Sequence, residues 1–372
     1  IRWKNNTDLG FAAVNRLTIK TIAEKGYSLS VLSLIETDNR LDSRYLPVDA
    51  NVRYQVFAGN KLGFAFAAWR SILTHKYDHV FVDHVNLASL LVPLKWLRRC
   101  KYITWLFGVE VFSPRPDWEG KLGLHNAWKR LAISEYTRQN VQDRFPDLSI
   151  EVCDLCLDPV RHAKTTVFVP DDPITLPALD GSRSDLGNRV ILHVGRMVPG
   201  DRYKGQDSLI KAFPLVFAQE PKAQLVLAGQ GEDMPRLKRL ALELPTAMQA
   251  NIFFPGYVSD DLLQQIYQTC YVFAMPSIGE GFGLVYLEAM NQGKPCLGGN
   301  VDATPGVVRH GQTGLLVDDP RSPEQVAQAL NWFLSHPKET QAMGQQGADL
   351  VQSYYLFPHF QKRFWNAVEK HE

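Results

Sequence analysis

The second half of the chain alternates short apolar runs with segments of helical period. Strands are predicted at Val190–Val194, Ala223–Ala228, Ile252–Phe254, Val272–Met275, Pro295–Leu297 and Gly314–Val317. Between and after them, apolar positions recur at helical spacing near 205–219, 233–243, 260–269, 283–292, 323–335, 339–353 and 358–369. This alternation predicts an α/β fold with a parallel sheet covered on both faces. Ligands of such sheets bind beyond the carboxyl ends of the strands.

The first half repeats the pattern less regularly. A loop at Asn5–Gly10 leads to a helix through Ala13, Leu17, Ile19 and Ile22, then to a strand at Ser30–Ile35. Residues 61–76 read as an amphipathic helix, Val80–Val82 as a strand, Leu87–Arg99 as a helix and 102–107 as a strand. Asp117–Leu124 is polar and contains glycine, which predicts a mobile loop. A strand from Leu131 ends at Ser134, an N-cap residue for the next helix. Residues 158–188 hold four prolines, paired Asp171-Asp172 and Gly181-Ser182, the signature of a linker. The expected organisation is a first domain over 1–177, a second over 178–355 and a final helix over 356–372. The chain begins at Ile1 without Met, and a first strand is expected to precede it.

The stretch from Pro276 to Gly299 concentrates the candidate chemistry. Glu280, Gly281, Phe282 and Gly283 form a glycine-rich turn, and Leu284 opens a helix that contains Glu288. Glycines ahead of a helix leave its first N–H groups unblocked, and those groups with the helix dipole favour an anion. Eight residues separate the two glutamates, about 12 Å if both were helical, which puts them on a similar face. A diphosphate at the helix end with carboxylates for sugar and ribose hydroxyls fits a sugar nucleotide. A buried helix with packing glycines and two solvated glutamates fits the same spacing. After strand Val190–Val194 come Gly195 and Arg196, then Lys204 just before a helix. Arg supplies a fork and Lys a point charge to phosphate oxygens. Two exposed basic residues are the plainer alternative.

Composition narrows the classes. The 372 residues suit two domains, and 45% hydrophobic with 21% charged residues is ordinary for a globular protein. A net charge of +1 argues against nucleic acid as the main partner. The five cysteines form no disulfide framework and suggest a reducing cytoplasm; Cys153 and Cys156 lack a second pair for zinc. No apolar run reaches membrane-spanning length. Lys95-Trp96-Leu97-Arg98-Arg99 fits either peripheral contact with the inner membrane face or a cationic helix end that completes the dipole.

The Pro276–Gly299 stretch resembles the Glu-x7-Glu signature of retaining GT-B glycosyltransferases of family 4, matching nearly every defined position of P-S-x-x-E-G-F-G-x-x-x-x-E-A-x-x-x-G-x-P. The resemblance implies two facing Rossmann-like domains with an inter-domain cleft. It implies transfer of a hexose from a nucleotide-diphosphate sugar, UDP-linked or GDP-mannose, to a saccharide or lipid-linked saccharide hydroxyl, with retention and without a cofactor. Arg196, Lys204 and Glu280 then take catalytic roles. Gly10, Gly195, Gly229, Tyr257, Val258, Gly281, Phe282, Gly283, Leu284 and Glu288 take donor-binding ones. The sequence contains no Asp-x-Asp triplet of the kind metal-dependent transferases use, so no metal ligands are expected. Where the family often carries a histidine near the sugar, this chain has Phe107; His84, His125 and Glu110 are candidates to replace it. A GT-B epimerase and a non-catalytic sugar-nucleotide-binding protein stay open. A dinucleotide oxidoreductase is disfavoured because no third glycine follows Gly229 and Gly231.

Overall fold

The computed structural model describes residues 9–38, 40–97, 100–108, 118–162 and 173–369. The chain divides into two compact units, residues 161–356 and residues 1–160 together with 357–372.

The unit of residues 161–356 is built on strands that are mostly apolar and mostly buried; Val194, Pro255, Leu315 and Leu316 are partly exposed, and the polar His193 and Gln224 are buried. They are β9 (Val190–Val194), β10 (Gln224–Ala228), β11 (Ile252–Gly256), β12 (Val272–Met275), β13 (Cys296–Gly299) and β14 (Gly314–Val317). All pair in parallel in the order β11-β10-β9-β12-β13-β14. The order reverses between β9 and β12, the place beyond the carboxyl ends of the strands where open α/β sheets bind their ligands. Helices 206–217 and 323–335 cover one face, their buried positions Leu209, Phe213, Val326 and Phe333 meeting Ile191, Leu225 and Leu297. Strand bounds match the apolar runs to within two residues.

Three strand-end loops are joined by their backbones. Gly195 N–H donates to Ala228 at 3.0 Å, Met197 N–H to Gln230 at 3.0 Å and Gly229 N–H to Gly256 at 2.9 Å. Gly229 has φ +135°, and a Cβ there would stand 1.9 Å from the Gly195 carbonyl oxygen. The glycine expected to admit a nucleotide is thus already required by the packing of one loop on the next.

The other unit holds a four-stranded parallel sheet, β3 (Val80–Val82), β4 (Tyr102–Leu106), β5 (Lys129–Ala132) and β6 (Glu151–Val152), and a parallel pair, β1 (Leu29–Ser33) with β2 (Val52–Val56). The last helix, Phe357–Glu369, belongs to this unit and stacks Phe364 on Phe81 and Trp105. Ser134 accepts the Thr137 N–H at 3.1 Å, the expected cap.

Several local expectations fail for identifiable reasons. Trp118–Asn126 is a helix where a mobile loop was expected. Its C-terminal carbonyls are satisfied by buried Arg130 on β5, which donates to Leu124 at 2.7 Å and His125 at 3.0 Å. Such a cap comes from another element and has no local trace. Leu87–Arg99 is not one helix: Val85–Ala88 and Val92–Trp96 are separated by a 3-10 turn just before Pro93, and residues 98–99 lie outside the described residues. Gly10 stands inside the first helix, Leu9–Glu24, rather than in the loop ahead of it. β2 was not anticipated, and the expected linker contains a hairpin, Thr175–Pro177 with Arg183–Asp185. All five cysteines are buried free thiols.

Gly229→Ala should lose stability by about 3 kcal/mol or more, since it adds an overlap to an unfavourable backbone angle. Urea unfolding will check this; an unchanged midpoint would show that the loops separate at little cost.

Candidate functional site

At the reversal point, the loop after β9 and the loop after β12 are pressed together. Gly205, with φ +83°, follows a 3-10 turn at Pro199–Lys204; a Cβ on it would come within 2.3 Å of the Pro276 carbonyl oxygen. Ile278 N–H donates to the Tyr203 carbonyl at 3.0 Å. These backbone contacts bring Lys204 to Glu280, and the ammonium donates to the Glu280 carboxylate. Both side chains are nearly buried. Burial by itself would lower the Lys204 pKa, but the charge and hydrogen bond of Glu280 together with Tyr203 and Asp201 outweigh it, and the net shift is upward. The ammonium also lies 4.9 Å from the Tyr203 ring centre.

Behind Lys204 stands His193, fully buried in β9, with Nε2 3.2 Å from the Lys204 carbonyl. A carbonyl accepts, so this nitrogen donates. Burial, with Lys204 nearby, holds the pKa of His193 down at about 3, so the ring is neutral and serves as a support. Arg196 is held by Asp201, Nε to Oδ2 at 2.8 Å and Nη2 to Oδ1 at 3.2 Å. Farther along, Asp233 accepts from Arg202 at 2.7 Å and Arg236 at 2.6 Å, and Arg236 also holds Asp207. Hydrogen bonds from Arg236 and Arg202 keep the Asp233 carboxyl well below the usual carboxylate range.

The glycine-rich turn is anchored by a residue that the sequence reading passed over. Asp302 is 4% exposed and accepts from Ser277 Oγ at 2.7 Å, Glu280 N–H at 2.7 Å and Thr304 N–H at 2.9 Å. Its position in Asp-Ala-Thr-Pro, just past an apolar strand, is a turn signal visible in the sequence. Burial raises its pKa, and these hydrogen bonds only partly oppose the rise. Gly283 is the N-cap of helix Leu284–Asn291 and supplies no capping side chain. Phe282 is buried edge-on against Tyr355.

Glu280 and Glu288 do not share partners. Glu288 accepts from Tyr267 Oη at 3.0 Å and has His162 Nε2 at 3.5 Å. Burial favours its neutral form, but His162, Arg161 and Tyr267 outweigh that and lower its pKa. His162 stands 126 positions earlier in the chain, so nothing in the local sequence marks it. Gly195 and Gly229 lie in the joined loops, while Tyr257 is 59% exposed past β11 and Val258 is partly buried beside it.

Of the residues considered for the place of the family histidine, Phe107 is buried at the end of β4. His84 accepts the Asn86 N–H at 3.2 Å and caps a short helix. His125 packs edge-on to Phe145, 5.2 Å between ring centres. Both have local structural work. Glu110 lies outside the described residues, as do Asn5–Asp8 of the first loop. No group of three metal-ligating side chains, and no helix long and apolar enough to cross a membrane, occurs among the described residues.

Residues 180–350 match the family model of glycosyl transferases group 1. A GDP-mannose-dependent alpha-(1-6)-phosphatidylinositol monomannoside mannosyltransferase of Mycobacterium tuberculosis is 35% identical over 228 residues, 59% of this chain and 56% of that protein. The chain thus spans about half the length of the curated relatives it matches. Among solved structures, Anabaena HepE in complex with UDP-glucose aligns with a TM-score of 0.76 at 17% identity over 99% of this chain and 98% of that one. A glycosyltransferase from Rickettsia africae aligns with 0.77 at 16% over 100% and 98%. These likenesses show the fold, which is GT-B.

Asp302→Ala leaves three buried donors without their acceptor, at about 1–3 kcal/mol for each unmade bond. The melting midpoint should fall by roughly 6 °C or more. A variant that melts with the parent would mean that the turn is held by the Gly205–Pro276 packing alone.

Proposed function

We propose, from the premise that residues 180–350 form a glycosyl transferases group 1 segment, that the protein moves a hexose from a nucleoside-diphosphate sugar to an acceptor hydroxyl with retention of configuration. The observation that carries this reading is the Lys204–Glu280 pair at the sheet's reversal point, in the loop that leads to the helix behind Gly283. Uncapped helix N–H groups and two cations suit a diphosphate, and a neighbouring carboxylate suits sugar hydroxyls.

In this scheme Arg196 and Lys204 hold the diphosphate and stabilise the charge it gains on leaving. The acceptor oxygen bonds to the anomeric carbon. The carbon–oxygen bond to the diphosphate breaks, its electron pair passes to the phosphate oxygen, and that oxygen takes the acceptor's proton on the same face. Glu280 orients the sugar. Glu288, held by Tyr267 and His162, accepts from the ribose hydroxyls. Backbone at Gly195, Gly229, Gly281, Phe282, Gly283 and Leu284 lines the diphosphate, with Tyr257 and Val258 near the base. A UDP-sugar donor is favoured by the likeness to a UDP-glucose complex, and GDP-mannose by the mannosyltransferase relative. That relative's name carries a lipid-linked saccharide acceptor, which supports the same acceptor class here.

Lys204→Ala should weaken nucleotide-diphosphate binding and lower transfer at least tenfold, read by calorimetry with UDP and GDP and by product formation. Full donor turnover in this variant would remove the assignment, and tight sugar-nucleotide binding without turnover across acceptors would leave a binding protein.

Glu280→Gln and Glu288→Gln should separate. The first should chiefly lower turnover, and the second chiefly weaken free nucleotide. Equal UDP and GDP affinity of Glu288→Gln and the parent would exclude the ribose role.

A further inference from the structure

Helix α2 (Lys61–Thr74) is apolar on two opposite faces. Phe64, Ala68 and Ile72 are buried against the first unit. On the far side Leu62, Phe66, Trp69 and Leu73 are 85%, 71%, 38% and 46% exposed. Their spacing of four, three and four places them within about 60° of one another around the helix. The outward face, which in an ordinary surface helix is polar, is here a continuous apolar stripe.

The formal charges of the segment that carries the stripe all have one sign. Residues 61–76 contain Lys61, Arg70 and Lys76 and no Asp or Glu, and all three cations are exposed. The helix is also fixed in place: its N-terminus is capped by Asn60, which accepts the Gly63 N–H at 2.9 Å, and Trp69 Nε1 donates to the Leu90 carbonyl at 2.8 Å. The indole's polar edge is therefore satisfied within the protein while part of its ring faces outward.

We propose that α2 docks the protein on an anionic lipid surface, lying in the interface plane with Leu62, Phe66, Trp69 and Leu73 among the acyl chains and Lys61, Arg70 and Lys76 at the headgroups. An apolar stripe flanked by Arg70, on a segment with Lys61 and Lys76 at its ends and no carboxylate, is complementary to that surface. A second copy of this chain docking through the same stripe would set like charges against each other with no carboxylate to offset them, so the lipid is the better occupant.

The full chain should co-sediment with vesicles of phosphatidylcholine and phosphatidylglycerol and not with phosphatidylcholine alone, and added salt should release it. Phe66→Glu combined with Leu73→Glu should lower partitioning at least tenfold at an unchanged melting midpoint, because both side chains are exposed. Arg70→Gln should lower it about fivefold. Failure of the parent to bind anionic vesicles, or undiminished binding by the double variant, would overturn the proposal. So would a dimer, seen by light scattering, that the double variant abolishes, since the stripe would then belong to a second copy.

Discussion

The contact on which the second unit's chemistry depends is that between the Lys204 ammonium and the Glu280 carboxylate. Seventy-six positions apart in the chain, the two meet because β9 and β12 are neighbours where the sheet order reverses. Gly205 lets the Pro276 carbonyl approach, and Asp302 holds the turn that carries Glu280. A nearly buried charge left unpaired is expensive, so loss of either partner destabilises the other. The pair therefore fixes the two loops as well as placing a cation and an anion side by side.

Much of this was legible in the sequence. The second unit's strands are largely buried, so their apolar runs are nearly continuous and end at turn residues, and their bounds are readable to within two residues. The Pro276–Gly299 stretch carries its chemistry within 24 consecutive positions, so a local pattern suffices. What could not be read depends on distant partners. Trp118–Asn126 is helical because Arg130 closes its end, His162 reaches Glu288 from 126 positions away, and His84 and His125 are occupied by a cap and a ring contact. None of these leaves a periodic signal. The two glutamates illustrate the limit: Glu280 precedes the helix and Glu288 is inside it, as the stretch itself implies, but that Glu280 takes Lys204 and Glu288 takes Tyr267 depends on partners elsewhere in the chain.

The charges at this end of the sheet also bear on how an anion would be held. Arg196 is matched by Asp201, Lys204 by Glu280, and Arg202 and Arg236 by Asp233 and Asp207. Four cations thus face four carboxylates. A region balanced in this way presents a modest net field to an approaching diphosphate. The helix N-terminus behind Gly283 has no capping side chain and no acidic residue in its first turn, so the dipole there favours an anion. In the proposed reaction the helix N-terminus would add to the hold of Arg196 and Lys204 on the diphosphate, and the cations would also meet the charge that develops later. Lys204 and Arg196 are already oriented by their carboxylates, so in the proposed reaction they would meet the charge on the leaving phosphate without ordering a mobile side chain. The carboxylates that lower the cations' ground-state attraction for phosphate thereby preserve their geometry for the step in which it matters.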